Sequence, residues 1–337
     1  VLIEATEDTE VLVLPAAILN QVVQQNPYIE LFLYKSATEK FSDVMWTMQQ
    51  ILFLKIDQRV AQFLWDEMVQ KNSMPICTEG FSGKRRGKGA LRAKHILPLQ
   101  RAYDNIIHDV ALQNLPVIFA IDRAGLNPTD GATHHGIFDV SFLSSIPNMT
   151  IFTPATYECL ERSLRTAMLM KSPVAIRYPN AIEDEIVKAA FYSTNQKSGP
   201  VKAFGVSEVT ENVIISHGRM VSVALDVVAE LEDAGVSAGV LLCEFIKPYD
   251  YLTNIIADTL PEYVKNVIFL EEEIMSGGFG MNLSAEMRRQ GVGKRARHKI
   301  IAVDDNFVVP EKDESVWQSA GVDAHSVYNV ILEMNNK

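Results

Sequence analysis

Long apolar runs are what this sequence most plainly lacks. No stretch reaches the roughly 20 apolar residues that carry a helix across a bilayer, which excludes a helical membrane span. Cysteine is scarce: there are three, Cys77, Cys159 and Cys243. Their odd number and wide spacing argue against a disulfide framework or a clustered zinc site, and fit a reducing, cytoplasmic compartment. Positive charge is in deficit, with 31 Lys and Arg against 42 Asp and Glu and a net charge of −11. That balance argues against general nucleic-acid binding. The start, VLIEATEDTEVLVLPA, has no basic n-region and is broken by acids, so it does not read as a secretory signal. It begins with Val1 rather than Met, as expected of a chain that starts inside a longer reading frame. What is present is the composition of an ordinary globular protein, 47% hydrophobic and 22% charged, with length for two or three domains.

Residues 1–70 open with an expected strand, Glu10–Pro15, and a short helix, Ala16–Gln25. From Tyr28 to Gln70 the pattern is helical: Phe41, Val44, Met45, Met48, Ile51 and Leu52 recur at three- and four-residue spacing. Such a stripe serves either a core or a partner helix. EKFSDVMWTMQQILFLKIDQRVAQFLWDE resembles the central, subunit-pairing helix of Crp/Fnr-family regulators, and DTEVLVLP resembles the last strand of their β-roll. The resemblance is specific over Thr38–Glu67 and implies a homodimer. It stops before any DNA-reading helix, so DNA is not an expected partner. Residues 71–97 carry Lys84, Arg85, Arg86, Lys88, Arg92 and Lys94 with no helical or strand period, and read as a basic linker.

Residues 98–180 alternate helix and strand. Strands are expected at Leu115–Ile121, Met149–Pro154 and Pro173–Tyr178, with helices over Leu99–Gln113, from Asp139, and over Tyr157–Met170. That order argues for a parallel sheet with helices on its faces. Polar residues gather past the strand ends, above all in Ile121–Gly136, IDRAGLNPTDGATHHG. In open α/β sheets such loops line the ligand crevice. Taken singly, Arg123 has the alternative of pairing with Asp122, and His134 that of capping the loop.

The ordered run LQRAYDNIIHDVALQNLPVIFAIDRAG, DGATHHGIFDVSFLSSIPNMTIFTP and PVAIRYP closely resembles the pyrimidine-binding domain of the 1-deoxy-D-xylulose-5-phosphate synthases, transketolase-like thiamine-diphosphate enzymes. The resemblance implies that Arg101, Arg123 and Arg177 hold the phosphate of a sugar-phosphate acceptor, a task that suits the rigid guanidinium fork. It implies that Asp130 orients an acceptor hydroxyl and that His134 moves a proton near the thiazolium. His135 stands where the family often has Gln and receives no catalytic role.

A polar connector is expected over 181–205, then a second α/β unit over 206–337. HGRMVSVAL, EFIKPYD, FLEEEIMSGGFG and VDDNFVVP resemble the transketolase C-terminal domain, which in the family is mainly structural and dimer-forming. Lys247 and Glu271–Glu273 are accordingly expected to be structural. The fold class implied is α/β: two transketolase-like parallel-sheet domains after an N-terminal strand and long dimerisation-type helix.

The resemblance also implies thiamine diphosphate and magnesium, yet the Gly-Asp-Gly…Asn motif that holds them in the family is absent. GALRAKHILP precedes the LQRAYD run where an Ala-Glu-Gln-His-like stretch is expected, and Pro98 replaces the stacking aromatic. Two functions follow as expectations. One is synthase-like transfer of a two-carbon unit from pyruvate to glyceraldehyde 3-phosphate, feeding isoprenoid, thiamine and pyridoxal synthesis and needing a diphosphate-binding domain or subunit from elsewhere. The other is a Crp/Fnr-like dimer segment fused to a non-catalytic sugar-phosphate-binding module.

Overall fold

The computed structural model describes residues 89–93, 99–100, 102–128, 132, 134–179, 181–193, 199–309 and 315–336. The strand and helices expected within 1–70 lie outside the described residues, as do Arg101 and Asp130.

Two five-stranded sheets organise the described chain. The first has the order β1-β2-β4-β3-β8: β1 Gly89–Ala93, β2 Val117–Asp122, β4 Val174–Tyr178, β3 Thr150–Phe152 and β8 Phe245–Lys247. The second has the order β10-β9-β6-β7-β5: β10 Arg297–Val303, β9 Asn266–Ile274, β6 Asn212–His217, β7 Ala238–Cys243 and β5 Val201–Phe204. All pairings are parallel except those of the edge strands β8 and β5. The expected parallel sheets are therefore mixed, each ending in one antiparallel edge strand, a common variation on doubly wound folds.

Helices fill the connections. They are α1 Tyr103–Asn105, α2 Asp139–Ser144, α3 Tyr157–Leu169, α4 Glu185–Ser193, α5 Met220–Asp233, α6 Tyr249–Ala257, α7 Phe279–Gln290, α8 Val316–Ser319 and α9 Ala324–Asn335. Local chemistry sets their starts. The Thr156 hydroxyl accepts the Cys159 amide before α3, and the Asp323 carboxylate accepts the His325 and Ser326 amides before α9. Gly291, at φ +77°, ends α7 in the left-handed conformation.

Four sequence expectations are corrected. Part of the linker forms a strand: Gly89–Ala93 pairs in parallel with β2 at the sheet edge. The connector over 181–205 holds α4, whose Val187 and Phe191 are buried, and the edge strand β5. The helix over 99–113 is interrupted, because α1 passes into a π-helix at Ile106–Ala111. Finally, β8 comes from the third segment yet pairs with β3 of the first sheet, so the two domains share a strand.

Strand alternation divides the interior. One core joins both sheets through Phe119, Ile121, Ile151, Ile215, Phe245, Val267 and Phe269. A second lies on the other face of the second sheet, where Ile214, Ile268 and Leu270 meet α5 and α9. Leu126, just inside the first glycine of the 125–136 loop, and Ile137, just past the second, are buried in that second core. Burying one such side chain contributes about 1.5–3 kcal/mol, so the loop is anchored by its two ends.

Candidate active site at the 121–136 loop

The loop leaves β2 in a strained conformation. Arg123 has φ +62°, uncommon for a residue with a side chain, and the Asp122 Oδ1 accepts its backbone N–H at 2.8 Å. The neck is then closed by an antiparallel bridge between Gly125 and Gly136, with N–H···O distances of 3.1 and 2.6 Å. Between these points the chain carries His134, which is half-buried, and His135, which is buried.

His135 ties the loop down from inside. Its Nδ1 accepts the Asn127 amide at 2.9 Å, which leaves the proton on Nε2, and Nε2 donates to the Val308 carbonyl at 3.3 Å.

The neck is held by a clamp from the second sheet. The Leu126 amide donates to Glu272 Oε2 at 3.0 Å, while Arg219 Nη2 donates to the Leu126 carbonyl. Arg219 also donates to both Glu272 oxygens, Nε to Oε1 at 2.8 Å and Nη2 to Oε2 at 2.6 Å. Trp317 completes the clamp: its ring lies 5.0 Å beneath the Arg219 guanidinium, and its Nε1 donates to Glu272 at 3.3 Å. Gly125 has φ +79°, and a Cβ there would lie 2.1 Å from the Glu272 carboxyl carbon, so only glycine fits.

The three glutamates at the end of β9 face different ways because successive strand residues alternate. Glu272 faces the clamp. Glu271 and Glu273 face the other side, with His217. Glu271 accepts the Phe279 and Gly280 amides, each at 2.7 Å, and so caps the start of α7. Glu273 Oε1 pairs with Arg177 Nη2 at 2.8 Å.

Arg177 sits on β4, opposite Ile121 in register, with its side chain 2% exposed. Its Nε and Nη2 donate to Asp139 at 2.8 Å, and Nη2 also reaches the Gly136 carbonyl at 3.3 Å. Burial opposes the charge, but Asp139 and Glu273 outweigh it and raise the Arg177 pKa further. Burial likewise works against Glu273, yet Arg177 and His217 hold its carboxyl down to about 2. Arg177 is thus committed to carboxylates, and a phosphate has to compete with them for it. Lys247, expected to be structural, donates to the Ser144 and Ile146 carbonyls at the end of α2.

The described residues therefore bring Arg123 and His134 to one loop and set Arg177 in the wall behind it. Sequence reading missed the clamp of Glu272, Arg219 and Trp317, and the Asp139 partner of Arg177. The available signal was three acids closing a strand otherwise apolar enough to be buried.

Does this donor set fit thiamine diphosphate? The carboxylates around the loop are already engaged: Asp122 with Arg123, Asp139 and Glu273 with Arg177, Glu271 with α7, and Glu272 with Arg219. Apart from Asp122, whose Oδ1 takes the Arg123 amide, these carboxylates are buried, so among the described residues they are closed to an aminopyrimidine nitrogen or a diphosphate-bound metal at the loop. Arg123 and His134 stand on the loop with contacts of their own, and a guanidinium and an imidazole are groups that can meet a phosphate.

Comparison with known proteins places this arrangement. Residues 94–182 match the transketolase pyrimidine-binding domain and residues 202–327 match the transketolase C-terminal domain. The 1-deoxy-D-xylulose-5-phosphate synthase of Carboxydothermus hydrogenoformans is 35% identical over 239 residues, 71% of this chain and 37% of that enzyme. That of Syntrophomonas wolfei is 39% identical over 233 residues, 69% of this chain and 35% of that enzyme. The chain thus spans little more than a third of the length of these relatives. A split-gene transketolase chain, solved as an inactive β4 tetramer, shares the fold with a TM-score of 0.55 at 22% identity, covering 73% of this chain and 75% of that one. Transketolase from Campylobacter jejuni gives a TM-score of 0.54 at 17% identity, covering 73% of this chain and 35% of that one. Two lines, matched domains and shared fold, agree: over residues 94–327 this chain belongs to the transketolase family, with a pyrimidine-binding domain followed by a C-terminal domain.

Proposed function

We propose that this chain is the acceptor-binding part of a 1-deoxy-D-xylulose-5-phosphate synthase-like transferase. In this reading the complete assembly moves a two-carbon unit from pyruvate to glyceraldehyde 3-phosphate. The observation that carries the proposal is the clamped 121–136 loop, which offers Arg123 and His134 on a backbone fixed at both ends. Arg123, with Arg101, takes the acceptor phosphate. Asp130 orients an acceptor hydroxyl, and His134 moves a proton at the carbonyl oxygen under attack. Arg177 braces the wall behind the loop through Asp139 and Glu273. A loop held at both ends serves this task because fixed geometry supplies much of the rate in group transfer.

The cofactor-side groups come from a second polypeptide or domain. Support comes from the engaged carboxylates around the loop and from the relatives' greater length. The split-gene transketolase chain, named as an inactive tetramer, is a precedent for a related chain assembling without activity. We further propose that this chain pairs with a second copy of itself.

Calorimetry on the purified chain tests the reading. Glyceraldehyde 3-phosphate is expected to bind, and Arg123→Met to weaken it more than tenfold. Thiamine diphosphate with magnesium is expected not to bind. Tight thiamine-diphosphate binding refutes the half-site reading, and absence of glyceraldehyde 3-phosphate binding refutes the acceptor role.

A further inference from the structure

The second sheet changes direction between β6 and β9, because the chain runs from β6 to β7 on one side and from β9 to β10 on the other. Open α/β sheets bind ligands outside the carboxyl ends of strands at such a switch point. Here that position holds His217, the last residue of β6, with Glu271 and Glu273 near the end of β9. All three are buried, at 2%, 0% and 1% exposure. One ligand-type atom from each lies within 4.8 Å of the others.

His217 Nε2 and Glu273 Oε2 are buried, and neither makes a hydrogen bond of normal length; they face each other only as a loose ion pair. Buried polar atoms normally find a full hydrogen-bond partner, so a pair this loosely satisfied calls for an explanation. They stand 3.5 Å apart. That is long for a hydrogen bond but close to the edge of about 3.3 Å in a tetrahedron whose metal–ligand arms are about 2.05 Å. The same carboxylates are steadied from outside, Glu271 by the Phe279 and Gly280 amides and Glu273 by Arg177. Ligating carboxylates are oriented by such outer donors. Charge points the same way: Asp139, Glu271 and Glu273 share one guanidinium, Arg177, with only the His217 imidazole beside Glu273 to assist it.

We propose that His217, Glu271 and Glu273 form a buried site for one divalent ion of the zinc class, which pins β6 to β9 behind Arg177. One imidazole and two carboxylates suit Zn²⁺ or Co²⁺ better than Mg²⁺ or Ca²⁺, which prefer oxygen alone. Three side chains leave the fourth tetrahedral position to a water enclosed with the ion; with its ligands closed off from solvent the ion is structural, on the opposite face of β9 from the Glu272 clamp.

The test is a Co²⁺ titration of the chelator-treated full chain, followed by visible absorption. One equivalent is expected to give tetrahedral-type bands that Zn²⁺ then displaces, and chelation is expected to lower the Tm. His217→Asn should weaken the Co²⁺ signal more than tenfold, while His325→Asn, at an exposed histidine, should leave it unchanged. No band at one equivalent in the parent chain, or equal binding by the His217→Asn variant, overturns the proposal. Should His217→Asn fail to fold, the metal content of the parent chain as purified decides: about one zinc per chain supports the site, and a trace refutes it.

Discussion

Gly125→Ala is the sharpest probe of the clamp. Two costs add at this position. An alanine at φ +79° sits in the left-handed region, at about 1–2 kcal/mol. Its Cβ would also fall 2.1 Å from the Glu272 carboxyl carbon, 2.2 Å from Oε1 and 2.6 Å from Oε2. No rotation within the clamp relieves that, since Arg219 engages both oxygens and the Leu126 amide shares Oε2. Glu272 must leave, and a hydrogen bond to a charged group contributes about 1.5–3 kcal/mol. The expected loss is about 2.5–5 kcal/mol, the left-handed cost plus one such bond. Gly235→Ala provides the control, because Gly235 has φ +74° and nothing within 4 Å of its Cβ position. It should lose only the backbone part, about 1–2 kcal/mol. Urea unfolding of both variants against the parent measures the difference. If the two losses agree within about 1 kcal/mol, smaller than the energy of one charged hydrogen bond, Glu272 is not fixed against the neck.

Arg177→Met strands Asp139 and Glu273 without their cation, and is expected to cost about 3–5 kcal/mol in urea unfolding; a loss under about 1 kcal/mol would mean the guanidinium is not a brace. His135→Ala removes the acceptor for the Asn127 amide and the donor to Val308, and should cost about 2–3 kcal/mol while speeding hydrogen exchange at Asn127. Burial lowers the Lys247 pKa from 10.5 to about 8. The unfolded chain therefore binds more protons between those values, so stability should rise with pH through that window. Lys247→Met should flatten that rise, as measured by urea unfolding at several pH values.

How far the sequence could be read depended on whether a residue's partners were local. β2, β6 and β9 are runs such as VIFAI, NVIIS and NVIFL, whose branched and apolar residues announce buried strands without reference to anything distant. β1 was not legible because Gly89–Ala93 has no alternating pattern and gains its identity from parallel pairing with β2. The same holds for β8, three residues whose partner strand lies in the other domain. α4 was hidden by the acids of AIEDE before it, although Val187 and Phe191 sit four residues apart on its buried face. At the site, the density of polar residues marked the loop, but not what holds it. Glu272 lies 146 residues from Leu126, and Arg219 lies 93 residues from it. Arg177 read as a residue at the mouth of a cleft because it ends a strand. Its burial follows from Asp139, 38 residues earlier, and Glu273, 96 residues later, which no local pattern connects to it.

The alternation along β9 explains why the loop of the first sheet depends on the second. Within Asn266–Ile274, residues on one face fill the shared core and residues on the other fill the core against α5 and α9. Past Leu270 the strand leaves those apolar layers, and its next three side chains are carboxylates on alternating faces. Glu271 and Glu273 turn to α7 and Arg177, while Glu272 turns to Arg219 and the loop neck. The next residue, Ile274, donates its amide to the Ile137 carbonyl at 3.0 Å, just beyond the neck's second glycine. The carboxyl end of β9, where an open sheet would meet a ligand, is in this way occupied by the chain's own loop and charges. A C-terminal domain that only packed against its neighbour would need none of these buried acids, each costly to desolvate unless paired. Their pairing with Leu126, Arg177 and α7 makes the second domain the part that sets where Arg123 and His134 stand.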